Sequence, residues 1–423
     1  MAGERTDPWQ WRALLIRELA LPSRQEEVPL TEALGRVLAA DVTSPEDLPA
    51  EPLSAMDGFA VRRADLGAGT PTGEIDMVLP VLAELPARPG HVGALPPGAT
   101  ARIMTGAPVP EGADLVIPVE DTDADPFGPA PERVRIRLAG APRVGRHVRR
   151  RGEEVALGTV LAERGRRVGP GLIGLGRALG IGTLPVLAPP RVVVVVTGDE
   201  LTGAQEVTAA GAVRESNGEM LVAALAADGA DASWRHSGDD PAALRAVLER
   251  AAAEADLVLT TGGIGSGAYD VVKQLLGELG AGTSRFAHLA LRPGGPQGWG
   301  RLPGGTPVVH LPGTPVGAFV GHHLFVRPLL PGVDPAPRRL PLGADGGDRG
   351  DRADGGDGRD GGGRADGVGR ADGVLRALPG LLRRDVEGRE SVDVLPGSRL
   401  APYGRADALV LRDGGPGALV LPL

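Results

Sequence analysis

Val192 to Val196 is an unbroken run of five valines, and it constrains the fold more than any other segment. A β-branched run without polar alternation suits a strand covered on both faces. The chain then alternates. Ser216 to Asp228 reads as a helix capped by Ser216 or Asn217. Ala232 to His236 reads as a strand, and Pro241 to Ala253 as a helix with proline in its first turn. Asp256 to Thr261 is a strand, and Tyr269 to Leu279 a helix with Asp270 as a candidate cap. Phe286 to Leu291 and Val308 to Leu311 are strands, and Pro315 to Leu329 is a closing helix. Such alternation predicts a doubly wound parallel α/β sheet. Ligands of these sheets sit beyond the carboxyl ends of the strands.

The 423 residues exceed what one core usually organises, so a multidomain α/β and β protein is expected. Trp9 to Ala20 has the spacing of an amphipathic helix, and Leu30 to Ala40 that of a shorter one. Short β-like pieces rich in Gly and Pro fill 46–141, which reads as a β-rich domain inserted like a lid. The flanking 1–45 and 142–185 form a discontinuous, elongated N-terminal α/β part. Residues 186–330 make the main α/β domain and 331–423 a small C-terminal β-domain. Within the last, 343–373 is almost entirely Gly, Asp, Arg and Ala, and repeats Arg-Ala-Asp-Gly. That composition cannot bury a core, so a disordered insertion is expected there.

Several function classes are disfavoured. Cysteine is absent, which removes disulfides and thiolate metal sites and fits a cytoplasmic protein. No apolar run approaches the roughly 20 residues of a membrane span, and the first residues lack a signal-peptide core. The formal net charge is −9, which argues against a general nucleic-acid surface.

Lys273 is the only lysine, although Lys and Arg together number 45. It follows a turn containing Gly262, Gly263, Gly265, Ser266 and Gly267, between a predicted strand and a predicted helix. Such a turn offers backbone N–H groups to an anion, and a flexible ammonium can reach the same anion. Acids gather at the predicted strand ends: Asp199 and Glu200, then Asp239 and Asp240, then Asp270. Together they suit Mg²⁺, which takes one or two carboxylates plus substrate phosphates. Singly, Asp240 and Asp270 also read as helix caps and Asp199 as a turn residue. Two rigid brackets, Leu291 to Pro296 and Leu311 to Pro315, follow strands and could border a pocket.

Seven strings occur in order: Ser54 to Val61, Arg102 to Asp114, Arg149 to Glu154, Thr197 to Leu201, Ser216 to Leu221, the Gly262 to Lys273 segment, and Leu311 to Ala318. Together they resemble the molybdopterin molybdenumtransferase (MoeA) family, the molybdenum insertases that include the C-terminal domain of gephyrin. The resemblance implies that adenylylated molybdopterin and molybdate bind between subunits of a homodimer, with a divalent cation such as Mg²⁺. AMP leaves and molybdenum enters the dithiolene. It assigns Asp57 and Thr105, closing from the partner subunit, and Asp199, Glu200, Asp240 and Asp270 to catalysis. The last four acids and Glu154 would serve the metal. Gly262, Gly263, Gly265, Ser266, Gly267, Lys273, Arg292, Pro312, Gly313, Pro315, Ser216 and Asn217 would hold the substrate. A molybdopterin adenylyltransferase and molybdoenzymes are the implied protein partners.

The sequence departs from the family at three lysine positions, occupied here by His288, Arg292 and Gly295. Arg292 keeps a charge and Gly295 cannot, so an oxyanion would be held differently. These changes define the alternative reading, a paralogue impaired in insertion that carries molybdopterin or scaffolds a partner.

Overall fold

The computed structural model describes residues 5–67, 73–90, 93–203, 210–265, 270–333, 336–343, 373–397 and 399–423. Its contacts divide the chain into two units. One comprises Met1–Glu26, Gly35–Val37 and Leu187–Leu423, the other Glu27–Leu34 and Leu38–Val186. Among the described residues no helix is long and apolar enough to cross a membrane.

The first unit begins with helix α1 (Pro8–Glu18), started by Asp7, whose carboxylate accepts the N–H groups of Trp9 and Gln10. Its main α/β layer contains β1 (Arg191–Thr197), α2 (Asn217–Ala227), β2 (Asp231–Ser237), α3 (Pro241–Glu254), β3 (Leu257–Thr261), α4 (Val271–Leu276), β4 (Ser284–His288), β5 (Pro296–Arg301), β6 (Pro307–Leu311) and α5 (Pro315–Gly321). The strands form one six-stranded sheet in the order β2-β1-β3-β6-β5-β4. The valine run is buried on both sides. Val193 and Val195 pack with Leu244, Leu248, Val272 and Leu275 of α3 and α4. Val192, Val194 and Val196 pack with Leu221 and Leu225 of α2 and Val316 and Val320 of α5.

The sheet is mixed rather than wholly parallel. β2, β1, β3 and β6 are parallel, but β5 runs antiparallel to both β6 and β4. Pro296 and two glycines hide β5 from a propensity reading, and the hairpin it forms with β4 reverses the edge. The closing helix is also shorter than its spacing predicts. α5 ends at Gly321 and passes into a π turn, His322–Val326, then a 3₁₀ turn, Arg327–Leu329. There the buried Asp228 accepts from Arg327 Nε at 2.9 Å and lies 3.0 Å from His322 Nε2. Those polar contacts bind the irregular turns to the end of α2.

The apolar stripe of α1 is consumed inside the chain. Trp11, Leu15 and Leu19 lie in the same core as Val194 and Leu324, so the stripe offers no argument for self-association. A second sheet of this unit runs Leu291–Arg292, Leu375–Arg384, Ala408–Arg412, Ala418–Pro422 and Arg338–Leu340, with Glu390–Val394 beside the second of these. The expected insertion, 343–373, falls largely outside the described residues.

The second unit holds a five-stranded sheet in the order Leu115–Pro118, Gly58–Val61, Thr100–Ile103, Ile75–Leu85 and Arg133–Leu138. Its core is Phe59, Ile117, Val134 and Ile136, all fully buried. The expected helix over Leu30 to Ala40 is only a 3₁₀ turn, Leu30–Glu32. Gly35 then takes a positive φ of 75°, and Leu38 bridges to Val186. Glycine breaks the helical pattern there.

Candidate functional site

The parallel strands end level with one another. Thr197 pairs with Ser237, Val196 with Thr261, and Thr261 with Leu311. The acids and turns that sequence placed at strand ends therefore share one edge. A cavity of about 700 Å³ opens there. Its walls come from Val196 to Gly198, Glu200, Leu201, Val213 to Asn217, Thr261 to Gly265 and Pro312 to Pro315, with Asp239, Asp270, Gly294 and Pro296; Asp199 does not line it. The turn after β3 needs glycine: Gly262 has φ 96°, and a β-carbon would stand 2.7 Å from Thr197 Oγ1.

Most of the acids first serve the chain itself. Asp240 caps α3, its carboxylate accepting Ala243 N–H at 2.7 Å, so the plain cap reading describes it. Asp239 lines the cavity and Asp240 does not. Asp199 Oδ1 accepts Asp239 N–H at 3.0 Å, while Asp239 Oδ2 accepts Asp199 N–H at 3.3 Å. These reciprocal bonds clamp two strand-end turns. Asp270 does not cap α4 with its side chain. Its Oδ1 accepts Gly265 N–H at 2.8 Å instead. Lys273 Nζ donates to the Gly265 carbonyl at 3.2 Å, so the lone lysine and Asp270 grip opposite sides of Gly265. Ser266 and Gly267 lie outside the described residues.

Ser216 precedes α2 but its side chain makes no cap. Glu215 does that work, its Oε1 accepting the N–H groups of Asn217 and Gly218 at 2.6 and 2.9 Å. Sequence reading missed Glu215 because a cap was sought one residue later. The Thr261 hydroxyl carries no motif signal, whereas Thr314 lies in the Leu311 to Pro315 bracket and reaches the wall with it. Gly262, Gly263, Gly265, Ser216, Asn217, Glu200, Asp270, Pro312, Gly313 and Pro315 are brought together on the cavity wall.

A β-carbon on Gly295 would meet Nε2 of the exposed His288 ring at 2.8 Å, so a side chain there would require that ring to shift. Leu289 N–H donates to the Gly295 carbonyl at 2.7 Å and closes the turn. Arg292 is exposed on it, beside the cavity residue Gly294.

In the second unit Asp57 and Thr105 meet directly. Asp57 Oδ1 accepts the Thr105 hydroxyl at 2.7 Å and the Thr105 N–H at 2.6 Å. The hydroxyl bond, then the amide bond, hold the Asp57 carboxyl below the usual carboxylate range. Both residues are exposed, so an ionised oxygen acceptor is presented at the surface. Glu154, in the same unit, pairs with Arg149 at 2.8 Å, and both side chains are about half exposed.

Among the described residues no three acidic or histidine side chains converge at metal-binding spacing. The cavity carboxylates Glu200, Asp239 and Asp270 are nevertheless hard oxygen donors. They fit a cation that takes one or two protein carboxylates and completes its shell with phosphate oxygens.

Comparison with known proteins agrees with this geometry. Residues 10–180 match the family described as "MoeA N-terminal region (domain I and II)". Residues 193–332 match the family "Probable molybdopterin binding domain". The chain is 43% identical over 321 residues to molybdopterin molybdenumtransferase 2 of Mycobacterium tuberculosis, covering 75% of this chain and 77% of that one. It is 35% identical over 323 residues to the molybdopterin molybdenumtransferase of Synechococcus elongatus, covering 75% and 78%. The crystal structure of the molybdopterin biosynthesis MoeA protein from Pyrococcus horikoshii superposes with a TM-score of 0.74 at 24% identity, over 99% of this chain and 97% of that one. That likeness carries the fold alone. On the two family matches and the 43% identity, this chain belongs to the MoeA, or molybdopterin molybdenumtransferase, family.

Proposed function

We propose that this chain is a molybdenum insertase, which takes adenylylated molybdopterin and molybdate, releases AMP and yields the molybdenum cofactor. The observation that carries the reading is the cavity at the carboxyl edge of four parallel strands, bordered by two backbone turns and by carboxylates. A parallel edge of this kind is where such folds bind phosphorylated ligands. The turn of Gly262, Gly263 and Gly265, continued by Ser266 and Gly267, offers N–H groups to the pterin phosphate. Lys273 is poised beside it, held for the present by one bond to Gly265. Pro312, Gly313, Pro315, Ser216 and Asn217 line the same cavity. Arg292 supplies a fixed positive charge near the cavity for the molybdate dianion.

Asp199, Glu200, Asp240 and Asp270, with Glu154, are the proposed acids for Mg²⁺. Glu200 and Asp270 lie on the cavity wall, while Asp240 keeps its cap. Bound there, Mg²⁺ would neutralise the adenylate phosphates. The ionised Asp57, oriented by Thr105, would act on the reacting end of the substrate from the partner subunit of a homodimer. The four-part division of the chain, the lid role of 46–141 and a cytoplasmic location belong to the same proposal.

The test is insertion itself. Purified protein would receive adenylylated molybdopterin, Mg²⁺ and graded molybdate, with AMP and active cofactor measured together. Both products at low molybdate are expected. Tight binding with neither product would refute the reading.

A further inference from the structure

We infer that Asn217 is a positioning residue that locks together the two turns bordering the cavity. The inference rests on the substrate reading above. The Asn217 carboxamide Nδ2 donates to Thr261 Oγ1 at 2.9 Å and to the Gly313 carbonyl at 2.8 Å. The Thr261 hydroxyl in turn donates to the Pro312 carbonyl at 2.8 Å. One side chain at the start of α2 thus ties the end of β3 to the turn after β6. Where the two turns meet, a β-carbon on Gly313 would stand only 3.2 Å from Gly262 Cα. The turns are held together by this strut and by their own close backbone approach, Gly262 N–H donating to the Leu311 carbonyl at 3.2 Å.

Two features separate this role from direct substrate binding. Asn217 is 5% exposed, and its Oδ1 is buried without a hydrogen-bond partner among the described residues. An oxygen so enclosed is badly placed to accept from a ligand in the cavity. Leaving it unpaired costs stability that a leucine of similar size would not. The amide stays because its two N–H groups do what leucine cannot: they hold two loop carbonyl and hydroxyl groups at fixed separation. The support of Asn217 is equally specific. Glu215 Oε1 accepts the first N–H groups of α2, which orients Asn217 and leaves those donors unavailable to a substrate anion. Phosphate recognition is therefore left to the Gly262 turn, whose spacing from Pro312 the strut controls.

Turns locked in this way present their N–H and C=O groups to a ligand already in place, whereas ordering loops on binding would lower affinity.

The experiment uses the full chain with Asn217→Leu, Thr261→Val, the double variant, and Leu225→Ala as a core control. Dissociation constants for adenylylated molybdopterin are read by calorimetry, and kcat and KM from AMP release. Asn217→Leu is expected to weaken binding about 10-fold and to raise KM more than it lowers kcat. Thr261→Val should weaken binding similarly. The double variant should be no worse than Asn217→Leu, because a strut breaks only once. Leu225→Ala should lower the melting temperature and leave affinity unchanged. Unchanged affinity in folded Asn217→Leu, or fully additive losses, would overturn the inference. A wild type that binds but releases no AMP would refute insertion and leave the strut to the affinity data. A wild type that binds nothing would overturn both.

Discussion

The two units contain cavities of nearly equal volume, about 700 Å³ in the first and about 650 Å³ in the second. The cavity of the second unit is walled by Pro52, Pro108, Pro110, Val144 and Val148, with Glu51, Glu111, Asp114 and Arg150 around it. Among the described residues no set of parallel strand ends converges on it. The cavity of the first unit is framed by strand ends whose turns are locked to one another by Asp199–Asp239, Asp270–Gly265 and Asn217–Gly313 bonds. Volume does not mark the substrate site. A site needs polar groups held in place before the ligand arrives, and in the first unit the ends of parallel strands supply them. The same contrast governs the acids. At the sheet edge the carboxylates build turns, whereas Asp57 in the second unit accepts both its bonds from Thr105 and stays ionised at the surface.

The sharpest way to break this comparison is at the charged groups. Asp57→Asn keeps the shape of the Thr105 contact and removes the charge. Turnover should fall by about 100-fold, with KM little changed, as read by AMP release. Asp270→Ala frees Gly265 from one side of its grip and should lower turnover and affinity together. If Asp57→Asn left turnover intact, the catalytic role of the second unit would be lost.

Core packing under the sheet edge comes next. Leu259 is fully buried in β3, and Leu259→Ala should lower the unfolding free energy by about 3 kcal/mol. Urea melts check it.

A smaller effect concerns His310, buried in β6 between Thr260 Oγ1 at 2.8 Å and Ser284 Oγ at 2.9 Å. Burial pushes its pKa down to about 3, below the roughly 6.5 of an unfolded chain. Between those values the unfolded state binds a proton that the folded state refuses. Stability is therefore lost as pH falls from about 6.5 towards 3, at up to about 1.4 kcal/mol per pH unit from this group. Burial of His323 acts in the same direction. Melts at pH 7 and pH 5 should differ less in His310→Gln than in the wild type.

The smallest effects should come from the second cavity. Glu111→Ala and Arg150→Ala are expected to leave substrate affinity within about two-fold, since exposed charges away from a site contribute little. A large loss there would show that the cavity of the second unit takes part in binding.

The sequence made some of this legible. An unbroken valine run, proline at helix starts and a glycine turn before Lys273 are local signals, and each reports a local requirement. They located four strand ends and the carboxylates on them. Other features depend on partners far along the chain. β5 was concealed because Pro296 and its glycines look like a turn until β4 and β6 lie alongside. Gly295 reads as a lost charge, and its place against the His288 ring appears only once β4 and the turn after it stand together. Glu215 and Thr261 carry no motif, and their roles appear once α2, β3 and the Pro312 turn stand together.

The most direct test of the central claim is hydrogen–deuterium exchange of the full chain with and without adenylylated molybdopterin. Protection should rise in the turns at 197–201, 261–265 and 312–315, with little change at 108–114 and 144–150. Protection confined to 108–114 and 144–150 would contradict the assignment of the strand-edge cavity as the substrate site.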